Sequence, residues 1–347
     1  MEEIMTNKDI PVIEKFNLEN RRYIGSKAKI SQWIKNLMEE NTTGETLFDV
    51  FAGTGIISKE LLDRYNHIII NDFLYSNNII YKAFFSNESY DEKKLDLKCE
   101  EFNQIKSNSL DDDYFVNNYG NKFFSQKDCR IIGEIREKIE RDKELNEKER
   151  GILITSLMYS ADKIANTVGH YDAYRKKIDL KDRFEFKLIK PLDTQGKKIE
   201  IYREDANKLV KEVKSDVAFI DPPYNSRQYE RFYHLLEGIA KWDKPELSGV
   251  AMKPEPENIS EYCKVSAPQV FDDLISNLDT KYIVVTYNNT YNSKSNSSRN
   301  KITHDQILDS LNKVGTTKVF EKDYRFFNAG KTDLKGHKEF VFITEVR

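Results

Sequence analysis

The residues best suited to chemistry are the consecutive Asp221, Pro222, Pro223 and Tyr224, which directly follow the apolar run DVAFI. Two adjacent prolines cannot donate backbone hydrogen bonds, so they end a strand and fix a rigid turn. At the carboxyl end of a parallel strand, where α/β sheets bind ligands, this turn presents a carboxylate, a carbonyl and an aromatic ring. Such a cluster can accept both hydrogens of a planar amine while the ring stacks on its heterocycle. A Pro-Pro loop with a surface tyrosine is the simpler interpretation of these four residues alone.

A glycine turn forms the second candidate site, in the run DVFAGTG from Asp49 to Gly55. Glycines after a strand let the backbone approach a ligand closely before the chain enters a helix. The run lacks GxGxxG spacing, which disfavours a dinucleotide. Asp72 follows the next apolar run, HIII, where an acidic residue can bind ribose hydroxyls. A tight turn and a helix cap are the simpler roles for these two features.

The elements around these motifs alternate between strand and helix. Residues 47–51 read as a strand, 56–65 as a helix and 67–70 as a second strand, a β-α-β pattern that implies a parallel sheet. Residues 288–300 are rich in Asn and Ser and predict a loop. Further strands are predicted at 198–202, 216–220 and 282–286, followed by an antiparallel pair, TTKVFEKDY and EFVFITEV, joined by a loop with Ala329-Gly330.

A mainly helical segment of about 110 residues separates the early strands from the late ones, which is far longer than an ordinary connection. Its charged part, 134–148, predicts a solvated helix, whereas 151–165 predicts a helix with one packed apolar face. The segment is acidic over 88–113 and basic, with many aromatics, from Lys163 to Lys190. We therefore predict a catalytic domain of residues 20–85 and 197–347, and an inserted region of residues 86–196.

Composition excludes several classes of protein. The 347 residues are 39% hydrophobic, with 20 Phe and 19 Tyr, which is enough for a buried core. There is no apolar run of roughly 18 residues and no basic-then-apolar start, so neither a membrane span nor a signal peptide is predicted. Cys99, Cys129 and Cys263 lie far apart, which argues against disulfides or a cysteine metal site and favours the cytoplasm. The net charge of -3 neither supports nor excludes a nucleic-acid partner.

Taken together, the motifs resemble those of the Dam-type, α-order adenine-specific DNA methyltransferases, in which a cofactor glycine motif precedes DPPY. The segments NTVGHYDAYRK and DPPYNSRQY are similar to FokI-methylase-like members of this group. The resemblance extends from Arg22 to Val346, with residues 86–150 unmatched. Five segments match in order: Arg22 to Lys27, Asp49 to Gly55, Asn71-Asp72, Glu204 to Ala206, and Asp221 to Tyr224.

This resemblance implies an α/β, Rossmann-like, S-adenosylmethionine-dependent methyltransferase fold with a mixed seven-stranded sheet and an inserted DNA-recognition region. Asp49 would accept from the cofactor's ammonium group, and Lys27 suits its carboxylate. Asp72 would bind the ribose hydroxyls, and Asp205 the amino group of the cofactor's adenine. The full set implied for S-adenosylmethionine is Tyr23, Lys27, Asp49, Phe51, Ala52, Gly53, Thr54, Gly55, Asp72, Asp205 and Ala206.

The implied reaction is methyl transfer to the exocyclic amine of an adenine flipped out of double-stranded DNA. Asp221 and the Pro222 carbonyl would accept the two amine hydrogens, and Tyr224 would stack on the base. A separate cognate restriction endonuclease is an expected partner, and no metal is expected. The residues expected to contact DNA are Lys163, Asn166, Thr167, His170, Tyr174, Arg175, Lys176, Arg227 and Gln228. The acidic segment should face away from DNA.

Other functions stay open at this point. DPPY-like turns serve several planar amines, so the substrate could be an RNA adenine, a cytosine amine or a protein glutamine. A non-catalytic DNA-binding subunit with the same fold is a second alternative, which the intact Asp221, Tyr224 and glycines disfavour. A nicotinamide-dependent oxidoreductase is a third, which the missing GxGxxG disfavours.

Overall fold

The predicted sheet is present in a computed structural model that describes residues 14–106, 113–289, 299–323 and 337–347. Its strands are β1 (Thr46–Asp49), β2 (His67–Asn71), β3 (Lys198–Tyr202), β4 (Val217–Ile220), β5 (Tyr282–Asn288), β6 (Gly315–Asp323) and β7 (Lys338–Val346). The helices are α1 (Ser31–Asn41), α2 (Ile56–Glu60), α3 (Tyr75–Phe85), α4 (Glu92–Asn103), α5 (Tyr114–Tyr119), α6 (Gln126–Arg141), α7 (Glu147–Ile164), α8 (Ala206–Leu209), α9 (Tyr229–Lys241), α10 (Ala267–Ser276) and α11 (His304–Val314).

The seven strands form one mixed sheet in the order β3-β2-β1-β4-β5-β7-β6. The first five of these are parallel, and β7 runs antiparallel between β5 and β6. Each predicted strand is therefore confirmed, although β1 ends at Asp49. Most of the predicted 288–300 loop, and the loop with Ala329-Gly330, lie outside the described residues.

The order of the strands creates a ligand-binding crevice. The chain moves outward from β1 to β2 and β3, then returns to place β4 on the other side of β1. Open α/β sheets bind ligands at such a switch point, outside the carboxyl ends of the strands. Asp49 pairs with Phe219 in this register, so the glycine turn after β1 and the DPPY turn after β4 leave the sheet side by side.

The central strands are continuous apolar runs because both faces of the sheet are covered. All four residues of β4 are fully buried. Alternate residues contribute to different cores, as in any strand: Val217 and Phe219 pack on one face, and Ala218 and Ile220 on the other. This packing makes the sheet a rigid support for the turns at its carboxyl edge.

The charged stretch 134–148 is not one solvated helix, and that prediction was wrong. Helix α6 ends at Arg141, and α7 begins at Glu147 after a capping box in which Asn146 accepts from the backbone of Glu149. Isoleucines at 132, 135 and 139 form a buried stripe along α6. Arg136 is also buried, and its guanidinium donates to the carbonyls of residues 239 and 240 in α9. The stripe has helical spacing, but the many charges around it masked the pattern.

Helix α7 was predicted to pack through one face, but it is buried on nearly all sides. Residues from Ile152 to Asp162 are each at most 3% exposed. The helix contacts α3, α6 and α9, and it approaches α3 closely at Gly151, where an added Cβ would lie 3.9 Å from Ala83. Residues of the inserted region and of the sheet therefore share one core.

In the described parts of the chain, no helix is both long and apolar enough to cross a membrane.

Candidate active site

The glycine turn after β1 has a conformation that requires glycine. Gly53 and Gly55 have φ angles of +55° and +75°, which side chains rarely adopt. A Cβ at Gly55 would lie 3.2 Å from the ring of Tyr81, whose hydroxyl donates to the Gly53 carbonyl at 2.7 Å. Asp72 accepts from the Gly53 amide at 3.0 Å. The turn is thus held from both sides with its backbone facing the crevice.

Asp49 is the most unusual group of this turn. Its side chain is 1% exposed, and its Oδ2 accepts from the Ser58 hydroxyl at 2.7 Å. Its Oδ1 has no hydrogen-bond partner among the described residues. Burial raises the pKa of Asp49 to about 7. A buried carboxylate oxygen without a donor is stabilised by an added cation or N–H group.

Asn71 joins two neighbouring loops at the crevice. Its amide donates to the carbonyls of Val50 and Glu204, both at 3.1 Å, and accepts from the Glu204 backbone. This places Asp205 beside the glycine turn, where it also caps α8 by accepting from Lys208 at 3.2 Å. The predicted cofactor residue Asp205 therefore combines its simple capping role with a position in the crevice.

Asp72 and two rings complete this half of the crevice. Besides Gly53, Asp72 accepts from the amide of Leu74 at 2.9 Å, and burial raises its pKa. Phe51 meets Tyr262 edge-on, with the ring centroids 5.0 Å apart. Ala206 is buried next to them. The polar and aromatic groups suit a ligand with a sugar and a flat heterocycle.

Tyr23 forms a wall opposite the glycines. Its ring stacks on Tyr233 at a centroid distance of 4.8 Å, and a Cβ at Gly53 would lie 3.4 Å from the Tyr23 ring. Thr54 is also buried beside the turn. The predicted residues of the glycine motif and Tyr23 are thus brought together around one space.

The Asp221 carboxylate accepts hydrogen bonds from three side chains in this structure. Its Oδ2 lies 2.7 Å from the Lys27 ammonium. Its Oδ1 lies 2.5 Å from the Tyr224 hydroxyl and 2.8 Å from the Thr286 hydroxyl. Lys27, predicted for the cofactor carboxylate, is paired in this structure with the carboxylate of the DPPY turn, and its role toward the cofactor stays a prediction.

Two polar residues of this cluster were missed from the sequence. Thr286 lies near the end of β5, and Glu339 lies in β7 with its Oε1 2.9 Å from the Tyr224 hydroxyl. Burial raises the pKa of Glu339. The one available signal was a glutamate next to the apolar run FVFI.

The residues predicted to contact DNA divide into two groups. Thr167, His170, Arg175, Arg227 and Gln228 line the same crevice as the DPPY turn. The other four, namely Lys163, Asn166, Tyr174 and Lys176, are not among its lining residues.

Several of these polar groups already have partners in the protein. Asn166 is buried and donates to the carbonyls of residues 122 and 175. The Gln228 side-chain amide donates to the Ser260 carbonyl and accepts from the Ser260 backbone amide. Thr167 accepts from Arg22. Their roles toward DNA stay predictions, and the structure adds a loop-anchoring role to each.

His170 has a different environment. Its ring stacks flat on Phe232 at 4.4 Å, and the Arg227 guanidinium lies 5.9 Å from the same Phe232 ring. Burial, with the nearby cations Arg227 and Lys253, lowers the pKa of His170. Its Nδ1 accepts from the Asp172 amide at 3.2 Å, so the neutral ring has its Nε2–H as a donor at the rim of the crevice.

The fold and the crevice together define a Rossmann-like methyltransferase. Residues 23–320 match the family model of the D12 class N6 adenine-specific DNA methyltransferases, and the chain belongs to this family. Membership confirms the resemblance seen in the motifs and the predicted class of enzyme.

Named relatives align along most of the chain. It is 29% identical to the type II methyltransferase M.NlaIII of Neisseria lactamica, over 93% of this chain and 98% of that one. It is 30% identical to M.CviAII of Paramecium bursaria Chlorella virus 1, with the same coverage of each. M.FokI of Planomicrobium okeanokoites is 30% identical over 93% of this chain, which spans 52% of that relative. A solved structure, the putative methyltransferase yhhF of Escherichia coli, aligns over 93% of this chain and 89% of that one, with 7% identity and a TM-score of 0.30, too low to support an argument.

Proposed function

We propose that this protein moves a methyl group from S-adenosylmethionine to the exocyclic amine of an adenine flipped out of duplex DNA. The observation that carries the proposal is that the glycine turn and the DPPY turn open side by side on one crevice. The crevice has a volume of about 1450 Å³. Single-ligand pockets are usually about 300–1,000 Å³, so there is space for a cofactor and a base together.

The residues around the glycine turn fit the cofactor. The buried Oδ1 of Asp49 lacks a donor among the described residues, and the cofactor's ammonium group would provide one. Asp72 and Asp205 would bind the ribose and the adenine, beside the paired rings of Phe51 and Tyr262. Bound there, S-adenosylmethionine supplies an activated methyl group, so the protein's task is positioning and electrostatics.

The DPPY turn fits the target amine. The lone pair of an adenine amine is delocalised into the ring, which makes it a poor nucleophile. Asp221 and the Pro222 carbonyl would each accept one amine hydrogen and so make the lone pair available. After methylation the cationic nitrogen would pass one of its protons to the Asp221 carboxylate that accepts its hydrogen bond, and Asp221 would release it to solvent. To take this role, Asp221 must exchange at least one of its present donors, Lys27, Tyr224 or Thr286, for the amine.

The rim of the crevice fits a nucleic acid. Arg175 and Arg227 both line it, and their cations would bind phosphates and set the position of the duplex. The neutral His170 can contact a base edge. Flipping a base costs a few kcal/mol, which stacking on the Tyr224 ring would partly offset.

The names of the relatives favour a role in a restriction-modification system. Among them are type II methyltransferases and the LlaI and StsI modification methylases. We therefore propose that the protein is the modification enzyme of a restriction-modification system, acts on DNA in the cytoplasm, and is matched with a separate restriction endonuclease.

The test is methyl transfer from labelled S-adenosylmethionine to mixed-sequence duplex DNA, with RNA in parallel and nucleoside analysis of the products. We expect N6-methyladenine in DNA, lost in Asp221→Ala. Asp279→Ala is the matched control, because this carboxylate lies on the surface and is 64% exposed. Methylation of RNA alone, or of cytosine, would contradict the proposal.

A further inference from the structure

Two carboxyl groups lie on either side of one tyrosine hydroxyl in the active site. The Tyr224 hydroxyl is 2.5 Å from Asp221 and 2.9 Å from Glu339. The Glu339 side chain is 3% exposed, and its Oε1 lies 3.5 Å from the ammonium of Lys27. Glu339 lies on β7, a strand late in the sequence, and reaches the DPPY turn of β4 across β5.

The Tyr224 hydroxyl makes two oxygen–oxygen contacts in this cluster, and each needs a hydrogen between its two atoms. A phenol has one hydrogen, so Tyr224 can donate to Asp221 or to Glu339 but not to both. The shorter contact, at 2.5 Å, places that hydrogen between Tyr224 and Asp221, so an ionised Glu339 would face the Tyr224 oxygen at 2.9 Å without a hydrogen between them. Two buried negative charges would also face one Lys27 cation. If Glu339 is protonated, it donates to Tyr224, Tyr224 donates to Asp221, and one carboxylate faces one ammonium.

The surroundings of Glu339 favour the protonated form. Desolvation is the largest cause that raises its pKa, and it outweighs the opposing effect of Lys27. Asp221 also raises it. Across the sheet, Glu339 pairs in register with Asn288 of β5 and Lys322 of β6, and the Lys322 ammonium lies 5.5 Å from the ring of Trp33.

We propose that Glu339 is a positioning residue for methyl transfer, which in its protonated form donates to Tyr224 and thereby keeps Tyr224 and the ionised Asp221 aligned for the target base. The proposal rests on the proposed function. The hydrogen-bond chain runs from Glu339 to Tyr224 to Asp221, and Lys27 balances the single negative charge.

The chain makes the rate depend on pH in a defined direction. Below the raised pKa of Glu339 the acid is protonated and the chain is intact. Above it Glu339 is ionised, Tyr224 can serve only one carboxylate, and the two charges repel. The rate should then fall on the alkaline side. A glutamine at this position donates like the protonated acid but cannot ionise.

The experiment compares the pH dependence of kcat, and KM for both substrates, in the wild type, Glu339→Gln and Glu339→Ala. We expect Glu339→Gln to keep kcat within about threefold of the wild type's value at the wild type's optimum pH, and to lack the alkaline fall. Glu339→Ala should lose about tenfold or more in kcat, with KM nearly unchanged. Glu345→Gln is the matched control, because it makes the same change at an exposed position of the same strand.

Two outcomes would overturn the proposal. If Glu339→Gln is as impaired as Glu339→Ala while both melt like the wild type, the ionised acid is needed instead. If the alkaline fall persists in Glu339→Gln, Glu339 does not set it. Should Glu339→Ala fail to fold, the Glu339→Gln profile decides alone.

A second measurement separates this proposal from the proposed function. At a pH below the alkaline fall, the infrared spectrum of the wild type should contain the carbonyl band of a protonated carboxyl group that is absent from Glu339→Gln. No such band would refute the proposal even if DNA is methylated. A wild type that shows the band but does not methylate DNA would refute the proposed function and leave only the hydrogen-bond chain from Glu339 to Asp221 standing.

Discussion

Asp49 of the glycine motif and Asp221 of the DPPY turn line one small cavity between the two turns, and they differ in how many of their oxygens are already bonded. Asp49 has one fixed donor, Ser58, and one oxygen that lacks a partner among the described residues. Both oxygens of Asp221 are already bonded, by Lys27, Tyr224 and Thr286. The cofactor half of the site is thus ready to receive a cation, whereas the base half must exchange partners first. This difference favours an order in which cofactor binding needs little rearrangement and base binding needs more.

The largest effect should come from removing the acceptor at the base half. Asp221→Ala should lower kcat by about 100-fold or more, because an acceptor made for the reacting amine is lost. Calorimetry should show nearly unchanged cofactor affinity, since the Asp49 half is intact. A large loss of cofactor affinity would mean that Asp221 also contributes to cofactor binding, so the cofactor half and the base half of the site would not act independently.

Asp49→Asn should produce the converse defect. We expect the Kd for S-adenosylmethionine to rise about 30-fold or more, because a buried charge partner of the ammonium is lost. In the wild type, affinity should increase as the pH rises through about 7, where Asp49 ionises, and then level off. Calorimetry over a pH series measures both. A pH dependence that persists in Asp49→Asn would assign it to another group.

Thr286→Val tests whether the hydrogen bond from Thr286 to Asp221 raises or lowers the rate of methyl transfer. Removing one hydrogen bond to a charged acceptor should change kcat by about tenfold. A fall means that Thr286 keeps Asp221 aligned, and a rise means that it competes with the amine. Thr344→Val is the control, since Thr344 is also buried in the sheet and bonded to another threonine, at 3.0 Å. Equal effects in both variants would indicate packing alone.

The smallest effect should be at the rim. Arg175→Ala should weaken DNA binding. The slope of the logarithm of the binding constant against the logarithm of the salt concentration should become shallower by about one, because one phosphate contact is lost. Lys176 is an exposed neighbour of Arg175 that does not line the crevice, so Lys176→Ala should change this slope less. Binding measured over a salt series checks this. Equal slopes in the two variants would indicate that Lys176 also contacts a phosphate and that the DNA-binding surface extends beyond the crevice.

The sheet and both turns could be predicted because their signals are local. Apolar runs followed by DVFAGTG and DPPY specify strand ends wherever they occur. Glu339 and Thr286 could not be assigned in this way. They come 118 and 65 residues after Asp221 and meet it only through the pairing of β4, β5 and β7.

The inserted region was harder to predict for a different reason. The type of a polar residue does not reveal whether its partner is DNA or its own backbone. Asn166 in this region, like Gln228 after the DPPY turn, has donors suited to a base edge, yet both side chains bind nearby loops. In α6, the surrounding charges masked the buried isoleucine stripe that packs the helix.

The burial of α7 on nearly all sides affects any attempt to re-engineer this enzyme. A recognition module that docks through one face can be exchanged between relatives with little adjustment. Here α7 lies between α3, α6 and α9 and approaches the backbone of α3 at Gly151. A transplanted insert would therefore have to bring matching faces of α3 and α9 with it, and chimaeras cut at residues 86 and 196 should misfold before they change specificity.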